Sequence, residues 1–251
     1  MENAWEPILQ IVKPMIQDEA ADADIANCLF ARRIYLLRAY SSFSDEKSIE
    51  NLNNEKKLLR ELKSLISDLI KHYQNTGVLK AREEFKDILT KFVFTDPNSM
   101  FGLVSTNWDT VVDKEADEIV KQVYIDLKNA KCFHIHGSID TPEYLYLPSE
   151  TSQERYRTKE DNERHGYNHY VTLKFLKEAN QIILYGISLD PLDAELSQIL
   201  NSAFTKNINL REMIIVNPDF KRVRNRVKAL LFPKNDIPIK CFVPENLEHE
   251  I

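Results

Sequence analysis

From Glu2 to about Phe94 the apolar residues recur at intervals of three and four, as in Ile8, Ile11, Val12 and Met15, then Leu29, Ile34 and Leu37, then Leu58, Leu62, Leu65 and Leu69. This period puts them on one face of an α-helix. Ser44 or Asp45 can cap a long helix over 46–73, because their side-chain oxygens accept from the free amides of a first turn. Asn75-Thr76-Gly77 supplies its stop. A further amphipathic helix is expected over 80–94; Pro7 suits a first turn, whereas Pro14 kinks or ends the first helix. After Asp96-Pro97-Asn98 the pattern changes. Short runs rich in β-branched residues predict strands at 102–106, 131–136, 182–185, 213–216 and 237–242, with helices at 110–127, 170–178, 192–204 and 220–231. Alternating strand and helix implies an α/β fold: a mainly parallel sheet with helices on both faces, preceded by a helical N-terminal part. Residues 148–169 are strongly polar and read as a solvated excursion or flap. No internal repeat or low-complexity tract interrupts the chain.

Composition narrows the function classes. At 251 residues and 43% hydrophobic content the chain can bury a core, as one large domain or two small ones. Its 33 basic and 39 acidic residues give a net charge of -6, so no summed positive field draws it to nucleic acid or to an anionic membrane. Cys28, Cys132 and Cys241 are far apart and form no CxxC pair, which offers neither a disulfide framework nor a cysteine zinc site. No apolar run of about 18 residues and no signal-peptide pattern occurs, so a cytoplasmic location is expected. Only five glycines occur and none precedes Gly77, so residues 1–76 contain no glycine-rich phosphate loop.

In parallel sheets ligands sit beyond the carboxyl ends of the strands. There the chain carries Ser105-Thr106-Asn107-Trp108-Asp109, then His134-Ile135-His136-Gly137-Ser138, then Tyr185-Gly186-Ile187-Ser188-Leu189-Asp190-Pro191-Leu192-Asp193, and Val216-Asn217-Pro218-Asp219. Each alone has a bland reading. Asparagine and aspartate are common in turns and caps, a GxS step or Asn217-Pro218 can simply start a helix, and a strand histidine can be structural. A period of two would place Cys132, His134 and His136 on one face, with Gly137 turning the chain to expose His136. The His-x-His pair also invites a metal, although no third ligand stands nearby.

Together the four segments resemble the SIR2-like family: a TxNxD element, an HGS element, a GxSLxDxD element and a strand ending in asparagine. The resemblance spans about 102–231. It implies a single domain over 1–251, with a helical part at 1–96 and a Rossmann-like α/β part at 97–251, that binds NAD and breaks its nicotinamide–ribose bond. By motif, Asn107 would hold the nicotinamide ribose and the attacking water, Asp109 would support that pocket, and His136 would be the general base. Thr106, Gly137, Gly186, Ser188 and Asn217 would contact NAD, with Gly186 and Ser188 at the phosphates and adenosine side and Asn217 at the adenosine ribose. Loss of nicotinamide leaves an oxocarbenium-like sugar, and hydroxyl-orienting hydrogen bonds with a base near neutrality suit that chemistry without a metal.

Two departures from the family pattern matter. No cysteine lies between Gly137 and Gly186, where deacetylating members carry a four-cysteine zinc module, so no zinc is expected and deacetylation is disfavoured. The opening strand and its GAGxS-type loop have no counterpart, while residues 5–16 resemble the helix that follows that loop. Either Met1 is an internal start that truncates the domain, or the element is lost and much NAD affinity with it; an open edge beside 102–106 is then expected. The implied activity is NAD hydrolysis, by analogy in antiphage defence, with a homo-oligomer or a defence-system protein as partner. The alternatives are a catalytically inactive nucleotide-binding or interaction module, and a metal-dependent hydrolase using His134 and His136.

Overall fold

The computed structural model describes residues 22–95, 100–123, 132–189, 194–234 and 236–250. The expected helix around 8–15 and its proline kink lie outside them, as do the end of the 110–127 helix and Asp190 to Asp193. In chain order the elements are α1 (Asp22–Tyr40), α2 (Glu46–Asn75), α3 (Glu83–Ile88) with a π-helical turn (Leu89–Val93), β1 (Leu103–Ser105), α4 (Val111–Val123) and β2 (Cys132–His134). A 3-10 turn (Pro142–Tyr144), α5 (Lys159–Glu178), β3 (Gln181–Tyr185), α6 (Ala194–Lys206), β4 (Glu212–Val216), α7 (Phe220–Leu231) and β5 (Ile239–Phe242) follow. The chain forms two compact units that interleave in sequence: 1–79, 107–109 and 136–166 make the first, and 80–106, 110–135 and 167–251 the second.

In the first unit Phe30, Ile34 and Leu37 of α1 pack with Leu59 and Ile66 of α2 and with Leu145, Leu147 and Tyr156. Asp45 caps α2, its Oδ1 accepting the Ser48 N–H at 3.0 Å. The helix closes where Gly77 takes φ +73°, as the Asn-Thr-Gly stop predicts. Its buried face follows the leucine row only in part: Leu62 and Leu65 pack half-buried against this core. Leu58 is 41% exposed, and the inward residues are Leu59, Lys63, Ile66 and Ser67. Two polar side chains hold inward positions because each has a partner: the Ser67 hydroxyl donates to the Ile139 carbonyl at 2.8 Å, and Lys63 Nζ lies 3.4 Å from Glu150.

Residues 148–169 are not a solvated flap. Glu150, Glu154, Tyr156 and His165 are buried, and α5 begins at Lys159 instead of near 170. Charge in a sequence suggests solvation, whereas here the charges neutralise one another inside the first unit.

In the second unit all strand pairs are parallel. β1 pairs with β2, and β3, β4 and β5 form a second sheet in that order. The single expected sheet is thus present as two. Side chains of both alternate between common layers. Val104 packs in one cluster with Ile182, Leu184, Met213 and Ile215 and with Leu200, Phe204, Val223 and Val227 from α6 and α7. Leu103 packs in another with Tyr185, Phe85, Leu89 and Ala116. Helices therefore cover both faces, as fully buried parallel strands require. Among the described residues β1 pairs only with β2 and β3 only with β4. No helix among the described residues is long and apolar enough to cross a membrane.

Candidate functional site

Ser105 and His134 are register partners in the β1–β2 pair, and the Ile135 N–H extends the ladder by donating to the Ser105 carbonyl at 3.1 Å. The chain reaches Asn107 and His136 two residues beyond these partners. Asn107 is exposed, Asp109 and His136 are half-buried, and all three belong to the first unit with Gly137. Within that unit the two segments are tied by main chain and indole. The Trp108 carbonyl accepts the Ile139 N–H at 2.9 Å. Trp108 Nε1 donates to the Tyr146 carbonyl at 3.2 Å, and the Tyr146 N–H donates to the His136 carbonyl at 2.8 Å. The indole also packs against the α1–α2 core, so Asn107 and Asp109 flank an anchored residue.

His136 does not share a strand face with Cys132 and His134, because β2 ends at His134 and the chain turns there. Its ring stacks on Tyr146 with centroids 5.3 Å apart and planes at 15°. His134 has a different task in the second unit. Its Nε2 meets Asp113 Oδ2 at 2.8 Å, while Asp113 Oδ1 accepts the Cys132 N–H at 3.1 Å, so the carboxylate ties the first turn of α4 to β2. The His-x-His pair is divided between two environments. Among the described residues no group of three or more His, Cys, Asp or Glu side chains could hold a metal ion.

Gly137 has φ +75°, and a Cβ built on it would stand 2.2 Å from the Tyr144 carbonyl oxygen. Its small size is used by the chain itself to close this turn. Gly186 differs: it is exposed, has φ +66°, and a Cβ there would meet nothing within 4 Å.

Thr106 of the second unit is half-buried where β1 ends, and Ser188 is exposed in the turn after β3. That turn is pinned by α7, since Arg226 Nη1 donates to the Ser188 and Leu189 carbonyls at 2.8 and 2.9 Å. Leu189 takes φ +53°, an uncommon value for a branched residue. Asn217 is only 7% exposed. Its Nδ2 donates to the Ile187 carbonyl at 3.1 Å and its Oδ1 accepts the Asp219 N–H at 2.8 Å just ahead of α7. Both ends of that amide shape the turn and the helix start, the bland use that Asn217-Pro218 allowed.

The sequence reading missed a buried ionic cluster in the first unit. Glu150 accepts from the Leu147 N–H, the Tyr156 hydroxyl at 2.7 Å and Arg157 Nη2 at 2.6 Å, with Lys63 beside it. Burial alone would raise the Glu150 pKa, but the Lys63 and Arg157 charges and these hydrogen bonds hold it below the ordinary carboxylate value. Burial lowers the Lys63 ammonium, with Glu150 opposing. Glu154 pairs with Arg38, whose Nε donates at 2.9 Å. The only sequence signal was an inward lysine at the period of α2, in step with Leu59 and Ile66. Cys28, Cys132 and Cys241 are free thiols.

Comparison with models of protein families, with curated proteins and with solved structures finds no match to this chain.

Proposed function

We propose that the chain is a SIR2-like NAD-hydrolysing domain with a Rossmann-like second unit. The observation that carries this reading is the tie through Trp108 and Tyr146 that holds the Asn107–Asp109 turn against the segment bearing His136. An exposed amide and a half-buried imidazole on two anchored turns suit a reaction at a sugar carbon. Asn107 would orient a ribose hydroxyl and the water, and Asp109 would support the turn. His136 would take the water's proton as its oxygen bonds to C1′ and the C–N bond's electron pair leaves with nicotinamide. In the second unit Gly186 and Ser188 offer an open turn that suits an anionic group such as a phosphate. Gly137 and Asn217 do not fit as ligand contacts in the same way, since their space and amide are engaged within the fold.

The experiment is incubation of the purified protein with NAD and chromatography of the products. Release of nicotinamide and ADP-ribose is expected, with losses of roughly a hundredfold or more in Asn107→Ala and in His136→Ala, the scale of general-base catalysis. A second reading, an inactive nucleotide-binding or interaction module, is favoured by the engagement of both ends of the Asn217 amide within the fold. Intact NAD after incubation with folded protein would overturn the first reading, and NAD binding without turnover would support the second.

A further inference from the structure

We infer that Tyr146 is the positioning residue for His136, and that the buried Glu150–Arg157 ion pair holds Tyr146 in place; the inference rests on the assignment of His136 as the base. All the groups concerned belong to the first unit. The ring contact, with centroids 5.3 Å apart and planes at 15°, is an offset-stacked geometry that fixes the plane of an imidazole. The main chain adds a second tie between the same residues, the Tyr146 N–H donating to the His136 carbonyl at 2.8 Å. Tyr146 is itself 8% exposed and cannot turn away easily. Its carbonyl takes the Trp108 indole N–H, and the edge of His165 approaches its ring at 5.5 Å.

The Arg157 guanidinium lies 5.5 Å from the Tyr146 centroid and 5.8 Å from that of Tyr156. Arg157 cannot drift, since Nη2 donates to Glu150 at 2.6 Å and Nη1 to the Thr151 carbonyl at 2.8 Å. Glu150 is fixed in turn by the Tyr156 hydroxyl and the Leu147 N–H. A buried ion pair adds little net stability, and its best-attested use is to specify one arrangement. Here that arrangement ends at the ring supporting His136. A general base misplaced by about 1 Å loses about a hundredfold in rate, so the support has a catalytic consequence.

The test compares wild type with Tyr146→Phe and Tyr146→Leu by nicotinamide-release kinetics and by NMR of the His136 ring protons. Tyr146→Phe keeps the aromatic face and is expected to retain kcat within about threefold. Tyr146→Leu is expected to lose about a hundredfold in kcat, with KM nearly unchanged, and the upfield ring-current shift of His136 should vanish. Should wild type release no nicotinamide, the hydrolase reading fails by itself. The NMR comparison then still decides, because a ring-current shift present in wild type and Tyr146→Phe but absent in Tyr146→Leu supports the positioning role. Equal His136 shifts in the folded variants, or an undiminished kcat in Tyr146→Leu, overturns it. If Tyr146→Leu does not fold, Arg157→Met serves as the second variant. It should broaden or move the His136 signals, and unchanged signals overturn the proposal.

Discussion

A Cβ placed on Gly137 would stand 2.2 Å from the carbonyl oxygen of Tyr144, so the turn after β2 closes only because residue 137 has no side chain. Gly137→Ala must move backbone against backbone and also hold φ +75°. The expected cost is about 2–5 kcal/mol, from the left-handed conformation and from overpacking. Gly186→Ala pays only the first of these, about 1–2 kcal/mol, because its Cβ would meet open space. Urea denaturation of both variants checks the contrast, and equal losses would remove the packing role of Gly137. Under the proposed function, Gly186→Ala should also raise the KM for NAD, since the open turn is where a phosphate would approach.

Glu150 lies between two buried cations, Lys63 at 3.4 Å and Arg157 at 2.6 Å. Glu150→Gln leaves both cations without their counter-charge and should cost about 3–5 kcal/mol, the scale for breaking a buried pair from one side. Lys63→Met removes the cation whose charged form burial disfavours and leaves Glu150 paired with Arg157. Its expected cost is smaller than that of Glu150→Gln, because Glu150 keeps the Arg157 guanidinium as its counter-charge. Chemical denaturation of the two variants gives the comparison directly, and a larger loss in Lys63→Met than in Glu150→Gln would reverse the assigned roles.

The same cluster sets an acid limit. The Glu150 carboxyl titrates lower in the folded chain than in the unfolded one, where a glutamate titrates near about 4.3. Between those values the unfolded chain binds more protons, so stability rises with pH there. The contribution is complete above the unfolded value and is lost as pH falls through the folded one. Folding free energy measured from pH 7 downward should therefore begin to fall near pH 5, where the unfolded carboxyl starts to take up protons. Lys63→Met should shift the end of that loss to higher pH, because one of the two cations depressing Glu150 is gone. An acid limb identical to wild type in this variant would show that Lys63 does not act on Glu150.

Five strands and the span of α7 were legible because β-branched runs between polar segments leave few alternatives to buried strands. Asn107 and His136 were legible as residues following strand ends, and their segments are indeed tied together. What escaped notice has one physical origin. Hydropathy reads Lys63, Ser67, Glu150, Glu154 and Arg157 as solvated, while their pairing with one another or with a carbonyl lets them sit inside. The buried face of α2 and the interior of 148–166 were lost together for that reason. Gly137 and Asn217 carry structural uses in the fold: residue types that suit a ligand are equally suited to a tight turn and a helix start. The division of the described strands into β2–β1 and β3–β4–β5 has no counterpart in the hydropathy pattern.

The turn after β3 is held from two sides in the second unit. Asn217 fixes the Ile187 carbonyl, and Arg226 fixes those of Ser188 and Leu189. Arg226→Ala removes a donor shared by two carbonyls while leaving the strand and the Asn217 amide in place. Because these carbonyls can turn to water, the stability loss should be only about 0.5–1.5 kcal/mol, the net worth of a typical hydrogen bond. Leu189 at φ +53° has then lost one of its restraints and should relax toward negative φ, so amides around 187–189 should exchange faster with deuterium. Under the proposed function the turn binds substrate without touching the reacting carbon. KM for NAD should therefore rise by roughly threefold to tenfold, with kcat little changed. A fall in kcat at constant KM would place Arg226 with the chemistry instead, and unchanged exchange at 187–189 would show that Asn217 alone holds the turn.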